Sequence, residues 1–190
     1  MPIAKKVLVF GAAGSGSSTI AKAIAHEYGH HWIEVDEALF MPTDPPFSVR
    51  RSLDEVRRIV LDSWRKAESV IVCGSIVGWG DELKHAFDLV IFVHVDVEVR
   101  IERIMHREAK RFGARVLEGG DMHRQHLEFL EWVRAYETGG PDVRSLAQHR
   151  LWLSDITSPI VEITEDRPMD AIMSRLRPYL EEPGAQTSGM

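Results

Sequence analysis

Residues 11–19, Gly-Ala-Ala-Gly-Ser-Gly-Ser-Ser-Thr, constrain this chain more than any other segment. They follow the β-rich run Val7-Leu8-Val9-Phe10 and lead into an amphipathic stretch with Ile20, Ala23, Ile24 and Tyr28 on one face. A strand that turns at once into a helix predicts a loop whose backbone N–H groups face inward, backed by the positive end of the helix. Gly11 and Gly16 frame four residues in the spacing of a phosphate-cradling loop, and small side chains let the backbone close round an anion. Gly11, Ala13, Gly14, Ser15, Gly16, Ser17, Ser18 and Thr19 are therefore the candidate phosphate-binding residues, with the Ser18 hydroxyl positioned for a magnesium ion. The alternative is a tight turn whose glycines serve only close packing. One position departs from the pattern. Loops of this spacing carry lysine after the second framing glycine, and Ser17 stands there instead. That lysine neutralises charge on a transferring phosphate. Either another cation supplies the charge, or the loop binds nucleotide without fast chemistry.

Four further short apolar runs follow, over 32–35, 70–73, 89–93 and 160–163. Helical periodicity separates them, over 52–66, 97–112, 122–136, 142–153 and 168–180. Strands alternating with helices predict an α/β, three-layer fold: a five-stranded parallel sheet flanked by helices. We expect one domain over residues 1–180 and a disordered tail over 181–190, which is polar and carries Pro183 and Gly184. A net charge of −6 argues against a broad nucleic-acid partner. No apolar run approaches the roughly 20 residues a membrane helix needs, and the start has no signal-peptide core. The single cysteine, Cys73, fits a reducing, cytoplasmic setting and reads as a buried small hydrophobe. His30, His31, His123 and His126 lack the partners of a zinc site.

Three more motifs make the chain resemble the small P-loop kinases of the adenylate-kinase and shikimate-kinase group, over roughly residues 7–180. The first is Glu102-Arg103-Ile104-Met105-His106-Arg107. It is similar to the family's arginine pair at the start of a lid, which implies Arg103 on the adenine and Arg107 on the phosphates. Arg111 and Arg115 follow at compatible spacing, and the bland alternative is a solvated charged helix. The second, Thr164-Glu165-Asp166-Arg167-Pro168, resembles the loop that contacts the donor base and brings in Arg167. The third, Glu34-Val35-Asp36, resembles the paired acids of shikimate-type and gluconate-type kinases. Residues two apart on a strand share a face. Glu34 would support the metal together with Ser18, and Asp36 would orient or deprotonate an acceptor. The alternative is that Asp36 caps the following helix.

The resemblance implies ATP and Mg2+ as cofactors and a phosphotransferase activity, with Asp36, Arg107 and Arg111 as catalytic residues. It also implies a short helical lid over about 108–125, hinged at Gly113, Gly119 and Gly120, and an acceptor segment over about 36–68. AMP as acceptor does not fit, because Cys73 replaces the family's aspartate and no arginine follows it. The acceptor site would draw instead on Glu34, Asp36, Phe47, Arg50, Ser75 and Trp79, though Trp79 between its glycines reads rather as a core plug. Partners are then a nucleotide and a small acceptor, with the chain a monomer or homodimer. The competing expectation is an ATP-binding regulatory protein with weak catalysis, motivated by Ser17 and Cys73.

Overall fold

The computed structural model describes residues 4–181. Its five strands are β1 (Lys6–Gly11), β2 (His31–Glu34), β3 (Val70–Cys73), β4 (Leu89–Val93) and β5 (Ile160–Ile163). They form one parallel sheet in the order β2-β3-β1-β4-β5. Seven α-helices surround them: α1 (Ser17–Tyr28), α2 (Val35–Leu39), α3 (Leu53–Trp64), α4 (Val97–Phe112), α5 (His123–Ala135), α6 (Leu146–Ser154) and α7 (Met169–Leu180). This is the α/β fold of the P-loop kinases.

Alternation along the strands builds two apolar layers, because successive side chains point to opposite faces. Val7, Val9, Ile71 and Ile91 pack against Ile20 and Ile24 of α1 and Leu176 of α7. Leu8, Phe10, Val72 and Phe92 pack on the other face against Val56 and Val60 of α3 and Trp152 of α6. The central strands are buried on both faces, which is why they read as unbroken apolar runs. No helix among the described residues is long and apolar enough to cross a membrane.

The boundaries differ from the sequence expectation in two places that matter. β2 ends at Glu34, and Val35–Leu39 turns into α2. Asp36 is therefore not on a strand beside Glu34. It lies in the first turn of α2, and no side chain caps that helix. The reason is packing. Gly74, at φ +114°, brings β3 so near Val35 that a Cβ on it would lie 2.7 Å from the Val35 Cβ, and the chain must turn there. Secondly, α6 starts at Leu146, four residues later than expected. The buried Ser145 caps it by accepting a hydrogen bond from the Gln148 N–H at 3.0 Å, while its own hydroxyl donates to the Gly140 carbonyl at 2.7 Å. Residues 142–144 are consequently loop. Of the expected tail, residues 182–190 lie outside the described residues; Glu181 is described and accepts a hydrogen bond from the Tyr28 hydroxyl at 3.0 Å.

Candidate functional site

The loop joins the central strand to α1. A Cβ on Gly11 would lie 1.9 Å from the Val93 carbonyl oxygen, so β1 and β4 meet here at a distance only glycine permits. Gly14 (φ +80°) and Gly16 (φ +97°) take the left-handed backbone that bends the loop. α1 then opens with no side-chain cap and no acidic residue in its first turn. Its first N–H groups and its dipole are left for an anion. The Ser15 hydroxyl is buried there without a partner.

A cleft of about 380 Å3 opens over the loop. It brings together Gly14, Ser15, Gly16, Ser17, Ser18 and Thr19 with Arg103 and Arg107 of α4 and Arg167 after β5. Arg103 donates to the Ser15 carbonyl at 3.1 Å and pairs with Asp166, tying α4 and the β5 loop to the glycine turn. Arg107 is mostly exposed beside Glu108. Arg167 pairs with Glu165. Two expected phosphate residues do not line this cleft. Gly11 is pressed against β4, and Ala13 packs on the small apolar cluster of Ile101, Ile104, Leu130 and Val133 between α4 and α5.

At the back of the loop, Ser18, Glu34 and Cys73 converge. The Cys73 thiol donates to the Ser18 hydroxyl at 3.5 Å. Burial, reinforced by Glu34, pushes that thiol up to about 12, so it carries its proton at neutral pH. Burial also raises Glu34 to about 7; the nearby Asp36 carboxylate adds to this and a hydrogen bond from Ser18 opposes it. A carboxyl and a hydroxyl are hard oxygen donors of the kind Mg2+ takes. Among the described residues no group of three or more His, Cys, Asp or Glu side chains could cage a metal. The donor set thus fits a cation that shares its coordination with phosphate and water.

The acceptor-side expectations are scattered more widely. Phe47, exposed and at φ +62°, stacks edge-on against Phe40 at 5.3 Å. Arg50 lies over the Phe40 ring, 5.3 Å from its centre. Arg111 sits 5.3 Å from the Phe47 ring and 5.1 Å from Phe112. Arg111 is therefore not beside the glycine loop; it faces the 42–47 turn. Trp79 is half-buried in the α3-side layer and donates to the Ser75 carbonyl at 3.2 Å, so packing is its role. The segment after α4 closes on the same turn: Arg115 pairs with Asp121 and Asp44, each at 2.7 Å, and Gln125 donates to the Pro46 carbonyl at 3.1 Å.

Two features escaped the sequence. The first is a buried chain running from Tyr136 to His149 (2.9 Å) to Ser75 (3.1 Å). His149 is wholly buried, and burial together with Arg144 lowers it to about 3, so it is neutral and bonded to both hydroxyls. The second is Arg144. Its guanidinium donates to the Gly11 carbonyl at 3.3 Å and lies 5.4 Å from the Trp132 ring. Its Nε is buried and unpartnered. Helical periodicity over 142–153 gives no reason to single out Arg144; the Gly139-Gly140-Pro141 turn before it was the available hint.

No family model matches the chain. The uncharacterized protein YqaC of Bacillus subtilis is 34% identical to it over 176 residues, covering 93% of the chain and 97% of that protein. The chain belongs to the YqaC family. This YqaC-family chain is also 29% identical over 119 residues to a cytidylate kinase of Archaeoglobus fulgidus, 55% of the chain and 63% of that protein. Its structure is similar to the shikimate kinase of Bacteroides thetaiotaomicron, with a TM-score of 0.54 and 17% identity over 90% of the chain and 94% of that protein. At such identity the likeness establishes the small P-loop kinase fold and leaves the substrate to the site itself.

Proposed function

We propose that this protein transfers the γ-phosphoryl group of ATP to a small acceptor, a hydroxyl-bearing metabolite or a nucleotide. The observation that carries this is the uncapped N-terminus of α1 behind a glycine turn, open to a cleft rimmed by Arg103 and Arg107. The similarity in fold to a shikimate kinase and in sequence to a cytidylate kinase supports the reaction class and leaves both acceptor classes open. The acidic Asp36 and the hydroxyl of Ser75 favour a hydroxyl acceptor.

The loop N–H groups and Arg107 hold the phosphates, and Ser18 and Glu34 would hold Mg2+. Bound there, the metal would neutralise charge on the phosphate oxygens. Asp36 takes the proton of the acceptor hydroxyl. The acceptor oxygen forms its new bond to the γ-phosphorus as the bond to the bridging oxygen breaks, the electron pair leaving with ADP. Positioning and charge stabilisation supply the acceleration.

A second reading, a nucleotide-binding regulator with weak catalysis, is favoured by Ser17 and by Cys73 at the end of β3. Thermal unfolding with ATP and Mg2+ tests the shared premise. At about a hundred times the dissociation constant, ligand adds roughly 2.7 kcal/mol and raises the midpoint by about 5–10 °C. Gly16→Val abolishes the shift. Label from γ-phosphate-labelled ATP appearing on a member of an acceptor panel separates the kinase from the regulator.

A further inference from the structure

The loop has lost its lysine, and the described arginines around it are unequally committed. Arg103 is paired with Asp166, Arg167 with Glu165, and the fully buried Arg100 with Glu137. Arg107 stands mostly in solvent. Arg144 differs from all of these. Among the described residues it makes no ion pair. Its one hydrogen bond is to the carbonyl of Gly11, the first residue of the glycine turn.

We infer, on the phosphotransfer reading above, that Arg144 supplies the cation that Ser17 does not, its guanidinium engaging the β- and γ-phosphates where the loop opens. Three observations support this. Gly11 ends the central strand and begins the glycine turn, so a group on its carbonyl stands beside the loop. The carboxylate that acts most strongly on Arg144 is Asp36, so the guanidinium is near enough to feel the charge of the candidate acceptor acid. Finally, a guanidinium whose Nε is buried without a partner is costly to keep unless its counter-charge arrives with a ligand. The Trp132 ring and the Ser145 cap hold the side chain and backbone in place for that ligand. A planar fork suits phosphate oxygens better than a point charge does, and it reaches the site from another segment of the fold.

The test reads the ratio of affinities for a non-hydrolysable ATP analogue and for AMP, both with Mg2+, by calorimetry. Only the analogue carries the phosphates Arg144 would touch. In Arg144→Gln the ratio falls about ten- to a hundredfold. In Ser17→Lys combined with Arg144→Gln it recovers. An unchanged ratio in Arg144→Gln, or a fall that Ser17→Lys does not reverse, overturns the inference while nucleotide binding stands. A wild-type protein that binds neither compound overturns both readings. If Arg144→Gln does not fold, Ser17→Lys alone decides. A gain within about twofold means the charge is already supplied, and a gain of tenfold or more means that it is not.

Discussion

The two halves of the proposed site are built differently. The donor half is backbone: glycine turns, an uncapped helix end, and strands pressed together at Gly11. The acceptor half is side chains brought from separate segments: Asp36 from α2, Ser75 after β3, Arg144 and His149 from the approach to α6 and from α6 itself. A backbone site is specified by local sequence and fails as a fold when it is altered. A side-chain site is specified by topology and fails as chemistry.

Gly11→Ala should break the donor half outright. The new Cβ has no room against the Val93 carbonyl, and the cost of about 4 kcal/mol or more should appear as loss of the cooperative thermal transition or a Tm lower by about 10 °C. Asp36→Asn should do the opposite. It should lower kcat by about a hundredfold to ten-thousandfold, with the Tm and the ATP affinity held. If both fall together, the acceptor half is part of the scaffold and the distinction fails.

The buried titrating groups sharpen the contrast through pH. His149 is about 3 in the folded chain against an ordinary 6.5, so between these values only the unfolded chain takes the proton. Stability should fall as pH drops below 6.5, by about 1.4 kcal/mol per unit at most. Glu34 acts in the other sense. Raised to about 7 from an ordinary 4.5, it holds a proton in the folded chain that the unfolded chain releases, so its contribution grows as pH falls from 7 to 4.5. The two oppose each other in the wild type. Glu34→Gln should therefore uncover the acid loss from pH 6.5 downward, seen as a steeper fall of Tm with acidity. A profile of unchanged slope would mean that the two groups do not oppose one another in this way. The smallest effect belongs to Ser75→Ala, which should raise the acceptor KM about tenfold and move the Tm by less than about 3 °C.

The same division explains what the sequence disclosed. β1, β3, β4 and α4 were legible because their apolar period is unbroken and their ends are marked by glycine or by a cap such as Asp96, which accepts from the Glu98 N–H at 2.8 Å. The glycine turn from Gly14 to Thr19, which lines the cleft, was legible for the same local reason. The Glu34–Asp36 geometry was not, since Val35-Asp36-Glu37-Ala38-Leu39 suits a strand end or a helical turn. The decision came from Gly74, just past the end of β3. Arg144 was hidden more deeply. It meets Gly11 across 133 residues of chain, and a hydrogen bond to a carbonyl leaves no trace in charge pattern or periodicity.

The stacking of Arg144 on Trp132 has an optical consequence. Indole emission responds to a cation held against the ring, and Trp132 is partly exposed, so it reports on its surroundings. If a triphosphate draws the guanidinium off the ring, the protein carries an unlabelled fluorescent reporter of its own phosphate occupancy. Trp132→Phe should silence that signal and leave the emission of the other four of its five tryptophans in place.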